Sequence, residues 1–346
     1  MLIINGNKIG QDFAPYIIAE MSANHGGSIN RAKQSILAAK NSGASAVKIQ
    51  SYTADTMTID SNKDDFQITD GLWKGYNLYQ LYEEAFTPFE WHEELFAYAK
   101  SLGITLFSSP FDETAVDLLA RLNAPAFKIA SFELTDLPLI EYVAKQNKPV
   151  LMSTGMASLD EVSEAIECCK MQNNNQLLIF HCISSYPAAS EDSNLLNIKA
   201  LKAEFNVEVG LSDHTTNNLA SSLAISLGAV AIEKHFKLDD KDCGPDSSFS
   251  LLPSELKNLV VECNVAKSAL GSIEYSRSES ESANQKFRRS IYFMNNLKAG
   301  HVITYDDIRR IRPGFGLEPK HFNKIIRKKL ALDVERGDPV SWDNFS

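Results

Sequence analysis

No uncharged apolar run in this chain approaches the roughly 20 residues needed to cross a bilayer, which argues against a membrane-spanning helix. The opening stretch, MLIINGNKIGQDF, has no basic segment followed by an apolar core and so lacks the marks of an export signal. None of the five cysteines (Cys168, Cys169, Cys182, Cys243, Cys263) belongs to a CxxC pair. Their odd number suits reduced thiols in a cytoplasmic protein, with Cys182 read as packing. Positive charge is also in deficit: 34 Lys+Arg stand against 44 Asp+Glu, a net −10 that argues against general nucleic-acid affinity. The deficit is uneven. Residues 286–346 hold 13 Lys+Arg and 7 Asp+Glu, while the remainder holds 21 and 37. A basic tail on an acidic body can dock onto acidic protein surface or bind nucleic acid, and docking is the favoured reading.

Eight short apolar runs punctuate the first 236 residues, each ending in a charged or hydrogen-bonding residue. They are Tyr16–Glu20, Ala46–Gln50, Thr105–Ser109, Ala126–Ser131, Val150–Thr154, Leu177–Ser184, Glu208–His214 and Ala231–His235. Amphipathic stretches separate them, among them Ile29–Ser42, Glu90–Leu102, Leu159–Met171, Leu195–Phe205, Leu219–Leu227 and Pro253–Leu270. Several stop at a glycine that suits a C-terminal cap. This alternation predicts an α/β fold, a (β/α)8 TIM barrel over 1–270, whose site gathers at the carboxyl ends of its strands. A barrel needs roughly 250 residues, leaving room for one small module. The polar stretch GSIEYSRSESESAN marks 271–285 as a linker, and 286–346 reads as a small, mostly β module. Its strand candidates are Ser290–Met294, Val302–Thr304 and Leu330–Leu332.

The strand ends then nominate a site. His214 and His235 close the seventh and eighth runs, in SDH and EKH, and neighbouring strands would let both imidazoles bind one divalent ion. Lys48 and Lys128 each stand two residues before a strand end, so alternation turns them to the barrel interior, where an ammonium needs a partner. An anionic ligand supplies one, with Ser131, Ser153 and Ser212 as hydroxyl donors. Ion pairs with Glu20 or Glu233 supply another, and the two readings are compatible. Glu20, on the run that closes against the eighth, falls near the histidines. Asp246 can hold the outer end of a ligand or a metal-bound water. Asp213, by alternation, points away. The 51–88 connection is long for a barrel loop, and its Trp73, Tyr76, Tyr79 and Tyr82 either cover a sugar or tie the loop down locally.

Taken together, AEMSANHGGS, VKIQSY, SSPFD, FKIAS, STGM, GLSDHT and EKHF resemble the sialic acid synthase family. RRSIYF, KAG, IRPGFGL and ERGDPV are similar to that family's antifreeze-like (SAF) module. The resemblance implies an enzyme that condenses phosphoenolpyruvate with an N-acylated sugar, built as a swapped homodimer in which each module caps the partner's site. By motif it implies that Lys48, Gln50, Ser109, Lys128, Ser131, Ser153, Ser184, Tyr186, Ser212 and Glu233 bind phosphoenolpyruvate. Ser184 stands where sialic acid synthases carry asparagine. His214 and His235 match the ligands of a divalent metal, Mn2+, Mg2+ or Co2+. Glu20, Asp246 and Arg312 match sugar-side residues, the arginine coming from the partner's module. Within the family, GLWKGYNLYQLYEEAFTPFEWH and GPDSSFSL look closer to pseudaminic acid synthases than to N-acetylneuraminate or legionaminate synthases. No nucleic-acid or membrane partner is implied. The rival classes are a Schiff-base barrel aldolase, which needs one lysine of depressed pKa, and a non-catalytic carbohydrate- or ice-binding protein.

Overall fold

The structure, a computed structural model, describes residues 2–241 and 244–346; Cys243 lies outside the described residues. The chain divides into two compact units, Met1–Gly271 and Ser272–Ser346. The first begins with a hairpin, β1 (Leu2–Ile4) paired antiparallel with β2 (Asn7–Ile9). Eight parallel strands follow: β3 (Tyr16–Glu20), β4 (Ala46–Ser51), β5 (Thr105–Pro110) and β6 (Phe127–Ile129); then β7 (Val150–Ser153), β8 (Leu177–Cys182), β9 (Glu208–Asp213) and β10 (Ala231–His235). They pair in chain order, and β10 closes against β3, so the sheet is a closed barrel. The connecting helices include α1 (Ile29–Asn41), α2 (Ala54–Met57), α3 (Leu78–Ala85), α4 (Phe89–Leu102) and α5 (Glu113–Arg121). They continue as α6 (Leu137–Ala144), α7 (Leu159–Met171), α8 (Asn197–Phe205), α9 (Leu219–Ser226) and α10 (Pro253–Ala269). Among the described residues no helix is long and apolar enough to cross a membrane.

Two apolar layers sit on either side of the strands. The outer one packs residues such as Ile17, Val47, Ile129 and Ile179 against α1, α6, α7 and α10. The inner one fills the barrel floor with Tyr16, Ile18, Phe107, Leu151, Leu178 and Phe180, and Leu2, Ile4 and Ile9 of the hairpin join it as a plug. Gly210 is required there: a Cβ would sit 2.7 Å from the Phe180 ring and 2.8 Å from the Ala231 carbonyl oxygen. The outer layer holds one ion pair. Lys234, paired in register with Asp213, contacts it at 2.9 Å and donates to the Thr215 and Asn217 carbonyls at 2.7 and 2.8 Å. Asp213 also accepts from the Ser221 and Thr215 hydroxyls. All three ammonium protons have acceptors, the condition under which a buried pair is tolerated. Asp213 points outward, as alternation predicts.

Strand ends depart from the sequence reading where a polar residue leaves the ladder. β6 spans Phe127–Ile129 rather than Ala126–Ser131, because Ser131 opens a 3-10 turn, Ser131–Glu133. β8 stops at Cys182, not Ser184. The β1–β2 hairpin has no counterpart in the sequence reading, while α5 and α6 supply the helices that eight strand–helix units require after β5 and β6.

In the second unit β11 (Ser290–Phe293) pairs antiparallel with β12 (Ile308–Ile311). Val302–Thr304 and Leu330–Leu332 are not strands; Val302 and Leu330 form isolated bridges to Lys329 and Phe345. β12 escapes sequence reading because its centre is Arg309-Arg310, both exposed. Within the stretch expected to be a linker, Glu279–Ser282 forms one helical turn. A core of Ile291, Phe293, Ile303, Ile308, Ile325 and Leu330 holds this unit together.

Asp307 organises one loop of that unit. It accepts from the Thr304 backbone N–H at 2.8 Å, the Thr304 hydroxyl at 2.7 Å and His301 Nε2 at 2.8 Å. Burial alone would raise its pKa, but the hydrogen bonds from His301 and Thr304 outweigh it and hold the carboxyl at about 2. The folded value lies below that of an unfolded aspartate, about 3.9. Its contribution is therefore complete above pH ~4 and fades as pH falls towards 2. Asp307→Asn should cost about 2 kcal/mol at pH 7 and progressively less below pH 4. Denaturant unfolding of the second transition at pH 7 and pH 3 measures this; a cost that does not change with pH would exclude the carboxylate charge as its cause.

Candidate active site

Alternation along the barrel strands sends one set of side chains inward at the carboxyl end. Glu20 (β3), Lys48 and Gln50 (β4), Ser109 (β5), Lys128 (β6), Ser153 (β7), Ser212 (β9) and Glu233 with His235 (β10) share that mouth. His214 follows β9 directly. At the centre lies a cluster of four charges. Lys48 Nζ stands 3.3 Å from Glu20 Oε2 and 3.2 Å from Glu233 Oε1; Lys128 Nζ stands 3.5 Å from Glu233 Oε1. Hydroxyls complete it: Ser109 accepts from Lys48 at 3.3 Å, Ser153 accepts from Lys128 at 2.7 Å, and Ser212 donates to Glu233 at 3.3 Å. All four charged side chains are at most 5 % exposed.

The protonation states follow from the surroundings. Burial would raise Glu233, but Lys128 and Lys48 prevail and hold it at about 2. Glu20 is lifted by burial to about 7, with Lys48 pulling the other way. Burial would lower Lys48, yet Glu20 and Glu233 carry it above the ordinary lysine value. Burial lowers Lys128. Near neutral pH two ammonium groups thus face one full carboxylate and one half-protonated one. Glu20 Oε2 has the Lys48 ammonium as its one neighbour, and Glu233 Oε2 has no hydrogen-bond partner among the described residues. Two buried ammonium groups ringed by serine hydroxyls are the chemistry an anionic ligand needs.

The Ser-Thr-Gly-Met turn after β7 adds to this. Gly155 N–H donates to Ser131 Oγ at 3.2 Å, and a Cβ on Gly155 would lie 2.1 Å from Ser184 Oγ and 2.8 Å from Ser131 Oγ. Backbone and two hydroxyls therefore converge at a spot where only hydrogen fits.

Beside the charges stand the two histidines, ring centroids 5.5 Å apart. His214 Nδ1 donates to the Ile183 carbonyl at 2.8 Å, which leaves Nε2 as the acceptor nitrogen. Burial, followed by His214 and Lys48, keeps His235 well below the ordinary imidazole value, hence neutral. Its Nδ1 has no hydrogen-bond partner among the described residues and lies 3.9 Å from Asp246 Oδ2. Neutral, desolvated nitrogens are what a divalent cation requires of imidazole. No group of three or more His, Cys, Asp or Glu is assembled for a metal among the described residues. Two imidazoles could hold a cation only with water or substrate oxygens in its other positions, as catalytic sites do.

A polar line leads outward from Glu20. Gln50 Nε2 donates to Glu20 Oε1 at 2.9 Å and to Ser22 Oγ at 3.0 Å, and Ser22 donates to Asp246. Burial raises the Asp246 carboxyl, opposed by the Ser22 bond. Tyr186 lies over His214 with ring centroids 4.3 Å apart.

The fold thus brings together Glu20, Lys48, Gln50, Ser109, Lys128, Ser131, Ser153, Ser184, Tyr186, Ser212, His214, Glu233, His235 and Asp246. Arg312 is exposed in the second unit, where a groove of about 690 Å³ is lined by Arg289, Arg309, Arg310 and Arg312 with Tyr305 and Phe322. Four residues at the mouth escaped the sequence reading. Ser22 takes part through a left-handed backbone, φ 46°, that no pattern announces. Gly155 contributes its N–H, and Phe249 packs 4.8 Å from His235. Glu133, two residues beyond Ser131, has an unpartnered Oε2, and burial lifts it to about 7. Its place just past a strand end was the available signal.

Gly155→Ala should displace Ser131 and Ser184 and weaken inorganic phosphate binding by at least about tenfold, or 1.4 kcal/mol. Titration calorimetry measures it; unchanged phosphate affinity would separate this turn from the anion site.

The comparisons with known proteins agree with this geometry. The sequence matches the NeuB family over residues 35–275 and the SAF domain over residues 288–346. It is 44% identical over 330 residues to a pseudaminic acid synthase of Campylobacter jejuni, covering 95% of this chain and 96% of that one. It is 42% identical over 333 residues to a pseudaminic acid synthase of Helicobacter pylori, covering 96% and 98%. Among solved structures, an N-acetylneuraminic acid synthetase of Leptospira borgpetersenii in complex with citrate superimposes with a TM-score of 0.73 at 30% identity, covering 82% of this chain and 95% of that one. A closed eight-stranded barrel with this charged mouth, followed by a SAF domain, places the chain in the NeuB family of sialic acid synthases.

Proposed function

We propose that this chain is a transferase that condenses phosphoenolpyruvate with 2,4-diacetamido-2,4,6-trideoxy-altropyranose and water, giving pseudaminate and phosphate. The observation that carries the condensation is the pair of buried ammonium groups, Lys48 and Lys128, ringed by serine hydroxyls next to two imidazoles. Similarity to the pseudaminic acid synthases named above favours this sugar. The nearest alternative is an N-acetylneuraminate or legionaminate synthase, with the same chemistry on another N-acylated sugar.

Lys48 and Lys128 bind the carboxylate and phosphate of phosphoenolpyruvate, and Ser131, Ser153, Ser184 and the Gly155 N–H orient them. Fixing both anionic ends directs the methylene carbon at the sugar's aldehyde, which lowers the entropic barrier. His214 and His235 are the residues that would hold a divalent cation, Mn2+, Mg2+ or Co2+. When bound, such a cation supplies Lewis acidity to the aldehyde oxygen. The new C–C bond leaves a cation at the enol carbon. Glu20, poised near neutrality, is placed to take a proton as water adds there. The tetrahedral carbon then expels phosphate with its bridging oxygen. Tyr186 and Phe249 exclude bulk water from this centre. Gln50 and Asp246 hold sugar hydroxyl or amide groups. Arg312 would reach the sugar's N-acyl group from the SAF module of a second chain in a swapped homodimer.

Phosphate release measured with each candidate sugar tests the assignment; the diacetamido trideoxy sugar should give the highest kcat/KM, and a better N-acetylmannosamine rate would overturn it. His235→Ala should lower turnover at least about a hundredfold, roughly 2.7 kcal/mol, and abolish the rise in Tm that Mn2+ gives the metal-free protein. A retained Tm rise would remove His235 from the metal site. Phosphoenolpyruvate carrying a heavy-oxygen label in its C–O–P bridge should yield labelled phosphate.

A further inference from the structure

The aromatic residues of the 51–88 loop do not act as one set. The hydroxyls of Tyr76 and Tyr79 turn to Glu84 and Asp55 within their own loop, at 3.0 and 3.1 Å. Tyr82 packs edge-on against Tyr52, with centroids 5.8 Å apart. Trp73 instead reaches the barrel mouth. Its indole N–H donates to the Pro245 carbonyl at 3.0 Å, and its ring lies 5.6 Å from Tyr186. Phe249 lies 5.2 Å from Tyr186 and 4.8 Å from His235. Trp73, Tyr186 and Phe249 thus come from the three loops after β4, β8 and β10 and form one continuous aromatic wall beside the two imidazoles.

Tyr186 carries a hydroxyl, but the two rings that flank it offer a ligand no side-chain hydrogen bond. Phe249 has no polar atom, and the only polar atom of Trp73 is committed to Pro245. A sugar hydroxyl pressed against these two rings would leave water and find no partner, which is penalised. A methyl group in the same place gains from burial. The polar side chains of the mouth lie apart from these rings, on the hydrogen-bonded line of Glu20, Gln50, Ser22 and Asp246.

We propose that Trp73 and Phe249 are specificity-determining residues that select a sugar carrying a methyl rather than a hydroxymethyl group where it faces them. The inference rests on the condensation proposed above and deepens it by naming the residues that choose its 6-deoxy acceptor. An apolar surface rejects an added hydroxyl by no more than about a hundredfold, which bounds the effect.

The test compares kcat/KM, by phosphate release, for the trideoxy sugar and its 6-hydroxy counterpart. The wild-type protein should prefer the trideoxy sugar by roughly 10–100-fold. Trp73→Ala and Phe249→Ala should each shrink that ratio at least about fivefold, through a higher KM for the trideoxy sugar and an unchanged KM for phosphoenolpyruvate. Trp73→Phe should restore most of it. Because Phe249 is buried, Phe249→Thr and the circular dichroism of each variant guard against a folding defect. A ratio left unchanged while both rates fall would overturn the proposal, as would a wild-type protein indifferent to the 6-hydroxyl. Absence of phosphate release from every N-acylated sugar would instead overturn the condensation itself, and the wall's role with it.

Discussion

The cluster of Lys48, Glu20, Glu233 and Lys128 is the constraint around which the barrel mouth is organised. Four ionisable groups, all nearly dry, sit on the inner face of a closed sheet. Desolvation makes any one of them unaffordable alone, and removing a single partner from such a cluster costs about 3–5 kcal/mol. Their mutual attraction keeps them charged, but incompletely: Glu20 remains near its midpoint at about 7.

Closure of the barrel makes the arrangement rigid. Because β10 pairs with both β9 and β3, His235 and Glu20 sit opposite each other in one continuous ladder, and His214 follows β9 directly. Behind it, the Lys234–Asp213 pair ties β9 to β10 from the outer layer, with every donor matched. Consecutive residues thus do opposite work. Asp213 and Lys234 face the helices and fix register, while His214 and His235, one residue on, face the mouth. A one-residue slip would exchange the two sets, so the structural pair and the site enforce the same register.

The mouth is divided by polarity as well as by charge. Ammonium and hydroxyl groups lie on β4 to β7 and the turns after them, imidazoles lie at the ends of β9 and β10, and aromatic rings arrive from three loops. The strands fix the reacting groups, and the loops, freer to vary, shape what is admitted. This separation is how a barrel keeps one chemistry while changing its substrates.

What the amino-acid order alone determined was the repeating part. Apolar runs of period two, separated by glycine-capped amphipathic segments, specify eight strand–helix units. A polar residue at the end of each run specifies which end holds the site, because both signals are local. Lys48, Lys128, His214 and His235 were legible for that reason, as was the outward Asp213. Ser22, Gly155, Glu133 and Phe249 were not: each sits in a turn or loop, where no periodicity constrains direction. Nor could sequence tell that Trp73 parts company with Tyr76, Tyr79 and Tyr82, since that choice depends on a carbonyl at Pro245, 172 positions away. Tertiary structure alone decided the protonation of Glu20 and Glu233. Two identical carboxylates, each on a barrel strand, differ because one faces two ammonium groups and the other faces one, and electrostatic distance is a property of space rather than of chain order.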